Sequence, residues 1–213
     1  MKAFLANRLA LFGAAITAVV AVSVVIGPWL SPYQPNEADF MALLDPPSLQ
    51  HPFGTDSFGR DVLTRILYGA RVSLAVSVGG VLAGALVGAS AGLLAAYFGG
   101  WWEAILMRLS DLLFSFPSFV LALFLMVVLG FGVVNIAAAI ALIYIPIFAR
   151  LARNTAVLVK DEPWVEAAEL LGQSHFSVIT REILPNVAAP LFVQVALGVA
   201  FGIVIEAGLS FLG

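Results

Sequence analysis

Few residues in this chain could do chemistry, and their spacing narrows what chemistry that is. Gly88-Ala89-Ser90-Ala91-Gly92 has the G-x-S-x-G spacing of a serine nucleophile. Such a serine needs a histidine base and a strand–turn–helix setting. Here the motif lies inside an apolar run, and the two histidines, His51 and His175, both fall in polar segments. An intramembrane hydrolase is therefore disfavoured, and no catalytic residue is assigned. Asp45, Asp56 and Asp61 lack the spacing and terminal glutamate of an EF-hand, so they read as caps and ion-pair partners rather than a calcium loop. No cysteine is present, which excludes a disulfide framework or a thiolate metal site, and no metal centre is expected. No G-x-x-x-x-G-K-[ST] occurs; the only lysines are Lys2 and Lys160, so the chain has no P-loop for ATP. Glu206 remains, an acid deep in the last apolar run, and it is either a packing and hydrogen-bonding group or part of a translocation path.

The elements that must position these residues follow from composition. Of 213 residues, 62% are hydrophobic and only 11% charged, with a mean hydropathy of +1.04. A soluble fold of this length has nowhere to hide so much apolar surface, so the chain belongs in a bilayer. The net charge of −3 and the absence of a basic tract give no reason to expect nucleic acid. A span needs about 20 apolar residues. Five are expected: Leu9–Leu30, Val72–Phe98, Leu112–Leu129, Val133–Phe148 and Val187–Leu212. The first exceeds the roughly 7–15 residues of a signal-peptide core and is read as a retained anchor. The expected fold is thus an all-α, multi-span helix bundle. It divides into a tail and first span (residues 1–30), an extracytoplasmic segment (31–71) and a core (72–213) with a cytoplasmic loop at 149–186.

Within residues 31–71, Asp56 to Ala70 has helical periodicity, with Phe58, Val62, Ile66 and Leu67 on one face. It is expected as a separate helix on the membrane surface, capped by Thr55 or Asp56 and carrying an Asp61–Arg65 pair. Gly80, Gly84, Gly88 and Gly92 recur every fourth residue and mark a helix face open to close packing. Placing the N-terminus inside puts Lys2, Arg8, Arg108, Arg150, Arg153, Lys160 and Arg181 in inner segments, against Arg60, Arg65 and Arg71 outside. That seven-to-three excess favours a cytoplasmic N-terminus.

The loop after the fourth span is the informative part. Pro163 suits a first helical turn behind Asp161 or Glu162, and Gly172 suits a helix end at positive φ. Ser174 suits the cap of a second short helix ended by Pro185. Ala167 and Ala168 give this elbow a flat face for a partner.

Glu166-Ala167-Ala168-x-x-x-Gly172, followed by Ile183-Leu184-Pro185, resembles the "EAA" loop of ABC importer permeases, departing from its usual pattern at Glu182. The stretch from His51-Pro52-Phe53-Gly54-Thr55-Asp56 through Gly59-Arg60-Asp61 to Ser73-Leu74 is similar to the dipeptide/oligopeptide/nickel permease subfamily. So are Asp111-Leu112, Phe116-Pro117 and Glu206-Ala207-Gly208-Leu209-Ser210-Phe211-Leu212-Gly213. The length of the outer segment resembles the "C"-type subunit. The resemblance implies a type I importer fold in a bacterial or archaeal cytoplasmic (inner) membrane. Glu166, Ala167, Ala168 and Gly172 would form the coupling helix that docks on an ATPase. The partners it implies are a second homologous permease subunit, two ATP-binding cassette subunits and an extracytoplasmic substrate-binding protein, with ATP bound by partners and no cofactor on this chain. Cargo would be di- or oligopeptides, with nickel chelates or glutathione as alternatives. Relatives have a sixth span beyond Leu-Ser-Phe-Leu-Gly, so five of six are expected here, in a fragment or a truncated product. A secondary transporter would want midplane ionisable groups and inverted repeats, and only Glu206 comes near that pattern.

Overall fold

The computed structural model describes residues 7–212; Lys2 and Gly213, used above, lie outside them. The described chain is helical, with no strand. The helices are α1 (Arg8–Leu30), α2 (Val62–Phe98), α3 (Gly100–Phe114), α4 (Ser118–Leu129), α5 (Val133–Lys160), α6 (Pro163–Leu170) and α7 (His175–Leu212). Within α7, Val178–Ile183 forms a π-helical stretch. Four of these are long and apolar enough to cross a membrane, and α3 with α4 makes a fifth if that bent pair is one span. The chain divides into two compact units, residues 1–73 and 74–213.

In the first unit, α1 starts where the Asn7 side chain accepts the Leu9 and Ala10 N–H groups at 3.0 and 3.2 Å. At its far end the Ser31 hydroxyl lies 2.5 Å from that of Thr64. The expected surface helix at Asp56–Ala70 is not a separate element. Residues 56–61 form a turn, and the helix that starts at Val62 runs without a break to Phe98, ten residues ahead of the expected start. Gly59 takes a φ of +73°, which a helix cannot use, whereas Gly69-Ala70-Arg71 contains nothing that stops one. The cap is Asp61 rather than Thr55 or Asp56: its carboxylate accepts the Thr64 N–H at 2.8 Å and the Thr64 hydroxyl at 2.6 Å. That commits Asp61, so the expected Asp61–Arg65 pair is replaced. Asp61 meets His51 Nδ1 at 3.0 Å, and Arg65 sits 3.7 Å from Asp56. Phe58 is left exposed in the turn.

These carboxylates make the segment acid-sensitive. Hydrogen bonding to the Arg60 guanidinium holds Asp56 at about 2, against an ordinary 3.8. Burial pushes Asp61 upward, but the bonds from Thr64 and His51 outweigh it and leave Asp61 below its ordinary value. A depressed acid stabilises the fold above its unfolded pKa and loses that contribution as pH falls through the folded one. Amide protection at Phe58, Arg60 and Thr64, corrected for intrinsic exchange, is therefore expected to fall as pH drops from about 4 towards 2. Protection that rises over that window would contradict the assignment.

In the second unit the glycines set the register. A β-carbon at Gly80 would meet the Ala137 carbonyl oxygen at 2.7 Å, and one at Gly84 the Ala141 carbonyl at 2.7 Å. Gly88 and Gly92 face the Ile145 and Ala149 carbonyls in the same way. Both series ascend by fours, so α2 and α5 run parallel, backbone against backbone. Parallel neighbours require one return crossing between them, and only α3 and α4 can supply it. Gly198 against Val81 and Gly202 against Ser77 descend instead, which makes α7 antiparallel to α2. One apolar core, with Val81, Met126, Ile140, Phe148 and Leu209, lies among α2, α4, α5 and α7. A second, with Leu93, Ala152, Val165, Val178 and Ile183, lies where α6 joins.

Three further boundaries differ from expectation, each at a proline. The third span is broken at Pro117: α3 and α4 meet at 87°, because the residue before a proline avoids the α region. By contrast α5 passes through the buried Pro146 and continues to Lys160. Beyond Phe148 it stays helical because Ala149, Ala152 and Ala156 keep a buried stripe while Arg150, Arg153 and Asn154 turn away. Nor does Pro185 end the second short helix. The wider π turn relieves the clash of its ring with the preceding turn, and Asn186 Nδ2 donates to the Glu182 carbonyl at 2.7 Å. The polar loop expected over 149–186 thus shrinks to the few residues around α6.

The candidate coupling elbow

The elbow is built from local chemistry. Pro163 occupies the first helical position, where no N–H partner is needed, and Glu162 in extended conformation precedes it. Glu166 lies in the first turn, favourable to the helix dipole. At the other end Gly172 takes a φ of +78°. Its N–H donates to the Glu169 carbonyl at 2.9 Å, and the Gln173 N–H reaches back to the Ala168 carbonyl at 3.1 Å. This is the paired-bond Schellman ending, in which a left-handed residue lets two orphan carbonyls be satisfied. Ser174 then caps α7, accepting the Ser177 N–H at 3.3 Å. Around the elbow, Lys160 Nζ donates to the Ala96 carbonyl at 3.2 Å and the Tyr97 hydroxyl lies 2.7 Å from His175 Nδ1. The ends of α2 and α5 and the start of α7 are thereby tied together.

The helix has two faces, and they correct the expected flat one. Val165 and Ala168 are buried against the second core, so Ala168 anchors α6 and is not available to a partner. Ala167 and Glu166 face outward. Beside them lie bulky apolar groups that the sequence reading did not single out: Trp164, Leu170, Leu171 and Phe176, with Leu170 and Leu171 more than four-fifths bare at 81% and 83%. The available signal was apolar residues on both sides of an eight-residue helix in a polar segment, more than one face can bury. An apolar surface of this kind at the end of a bundle marks a contact with a protein partner or with the membrane.

The other sequence-derived candidates lie elsewhere. Gly80, Gly84, Gly88 and Gly92 form the α2–α5 contact described above. Glu206 is buried in α7, and its Oε1 accepts the Ser210 hydroxyl one turn later at 2.8 Å. It is distant in sequence from the elbow and shares no hydrogen bond with it. One turn before it, Gly202 packs on Ser77, whose hydroxyl is fully buried without a partner among the described residues.

The sequence profile of the family described as "Binding-protein-dependent transport system inner membrane component" matches residues 88–213, which hold Gly88 and Gly92 of the glycine contact, the elbow and α7. That of "N-terminal TM domain of oligopeptide transport permease C" matches residues 1–47. Among curated relatives, the glutathione transport system permease protein GsiD of Shigella dysenteriae serotype 1 (strain Sd197) is 39% identical over 213 residues, 100% of this chain and 70% of that protein. The proteins of the same name from Escherichia coli O6:K15:H31 (strain 536 / UPEC) and Shigella boydii serotype 4 (strain Sb227) are 38% identical over the same shares. A parallel glycine-packed helix pair, a half-buried elbow and two matching profiles converge: the chain belongs to the binding-protein-dependent transport system inner membrane component family, as a multi-pass permease subunit of an ABC importer of the oligopeptide/glutathione group.

Proposed function

We propose that α6 is the coupling helix through which separate ATPase subunits drive this permease. Its inner face is fastened to α5 and α7, so a push on Trp164, Ala167, Leu170 and Leu171 is delivered to the helices rather than absorbed in a loop. That two-faced burial is the observation that carries the reading. Glu166 adds a charge to the docking face, and Gly172 supplies the turn. ATP-driven closure of two cassette subunits, one on this elbow and one on that of a second homologous permease, would switch the bundle between inward- and outward-open states. Coupling of this kind requires elbow contacts that differ between the two states. An extracytoplasmic binding protein would deliver the cargo. ATP would stay on the cassettes, and this chain would hold no cofactor.

The elbow then faces the cytoplasm. Two crossings, α1 and α2, separate the N-terminus from the elbow end, which puts the N-terminus on the same side in the cytoplasmic membrane. The excess of basic residues supports that orientation. The cargo proposed is a short peptide, consistent with the oligopeptide permease profile. Glutathione, itself a tripeptide, is the second reading, favoured by the names of the relatives. Uptake of labelled di- and oligopeptides and of glutathione by a strain lacking the gene, with and without complementation, separates the two. Trp164→Asp in the complementing copy is expected to remove ATPase co-purification. Retained co-purification, or retained ATP-driven uptake, contradicts the coupling role.

A further inference from the structure

The elbow end carries a second site that the coupling role does not use. Where α3 crosses α5, an open cavity of about 620 Å³ is lined by Arg108, Arg150, Arg153, Asn154, Glu103 and Asp111, together with small and apolar positions of α3. Arg150 pairs with Asp111 at 2.5 Å and stacks over the Phe114 ring at 4.5 Å, and Arg153 pairs with Glu103. Three guanidinium groups against two carboxylates leave one positive charge in excess. Arg108 has no carboxylate partner among the described residues and is exposed.

The shape of α3 says what kind of anion fits. Both α3 and α4 pack on α5, and α3 meets α4 at 87°, so α3 turns away from the direction in which α4 continues the span. At 100° per residue, cavity-lining positions 100, 103, 104, 107, 108 and 111 share one face. Trp101, Ile105, Leu109 and Leu112 form the adjoining face, all exposed, and Arg108 stands on the border between the two. A helix turned away from its span, with an apolar face, tryptophans at its start and a basic pocket alongside, has the chemistry of a membrane-interface element. We infer that this pocket binds the phosphate headgroup of an anionic phospholipid, its acyl chains lying along Trp101, Ile105, Leu109 and Leu112. The excess charge selects against zwitterionic lipid, and the apolar face selects against a free anion. The inference requires only that the chain is in a membrane and does not depend on the coupling role of α6.

The test uses the assembled transporter, released in mild detergent and examined by native mass spectrometry with phosphatidylglycerol, phosphatidylcholine or inorganic phosphate added. Phosphatidylglycerol is expected to be retained several-fold over phosphatidylcholine. Arg108→Ala is expected to lower its retention about fivefold, the factor for one arginine near an anionic lipid. Arg108→Lys should restore most of it, and Arg181→Ala should not change it. Equal retention of the two lipids, or no effect of Arg108→Ala, overturns the proposal. So does displacement of the lipid by millimolar phosphate, which would make this a free-anion site, or cross-linking from a photoreactive residue at position 109 to a protein subunit in place of lipid. Co-purification of the ATPase subunits, read from the same preparations, reports on the coupling role separately.

Discussion

Replacing Gly88 with valine is expected to abolish recovery of folded permease. A β-carbon at 88 points at the Ile145 carbonyl oxygen and lies 2.9 Å from the Phe148 β-carbon. Both belong to a helix backbone or its first side-chain atom, so neither can rotate aside. Overpacking a core that can adjust costs roughly 1–3 kcal/mol. Here an added β-carbon and its two methyl groups must push α2 off α5, which also loosens the contacts at Gly84 and Gly92. A loss above the upper end of that range takes a large share of the roughly 5–15 kcal/mol that holds a domain folded. Gly79→Val is the control, because nothing lies within 4 Å of its β-carbon position. Monodisperse protein in detergent and its thermal midpoint are the readouts, and matching midpoints for the two variants would refute the α2–α5 contact.

The second large effect belongs to Gly172→Val. A left-handed φ costs an L-residue about 1–2 kcal/mol, and more when the side chain is β-branched. An eight-residue helix has little beyond Val165 and Ala168 to resist that strain. The Schellman bonds should open and the exposed face should lose its position. ATPase co-purification and ATP-driven uptake are expected to fall at least about tenfold, the factor that corresponds to 1.4 kcal/mol. Gly172→Asn should lie in between, since asparagine tolerates this conformation. Wild-type values of both readouts in Gly172→Val would remove the elbow from the mechanism.

What could be read from the sequence divides along the range of the forces involved. The presence of the long helices was legible because a bilayer demands apolar length, and that demand is written in composition. Pro163 and Gly172 were legible because a proline at a helix start and a glycine at a helix end act through their own backbone. The prolines inside apolar segments were not. Pro117 breaks its span, Pro146 is simply traversed and Pro185 is absorbed by a π turn. What decides among these outcomes is the packing and hydrogen bonding of neighbouring helices, which no single segment records. The same holds for Ala167 and Ala168: adjacent and alike in sequence, they part company because only one points at the second core. Asp61 was claimed by His51 from ten residues away, a contact beyond the reach of an i,i+4 rule.

The uninterrupted course of α7 across its π stretch has a mechanical consequence. Thirty-eight residues make a rod about 57 Å long, whose near end is gripped beside α6 and whose far end carries Glu206 and Ser210. Where α7 moves as one body past Pro185 and Pro190, a tilt of about 5° at the grip would swing the distant tip by about 5 Å over that length. A small displacement on one side of the membrane would thus be geared up to the width of a side chain on the other.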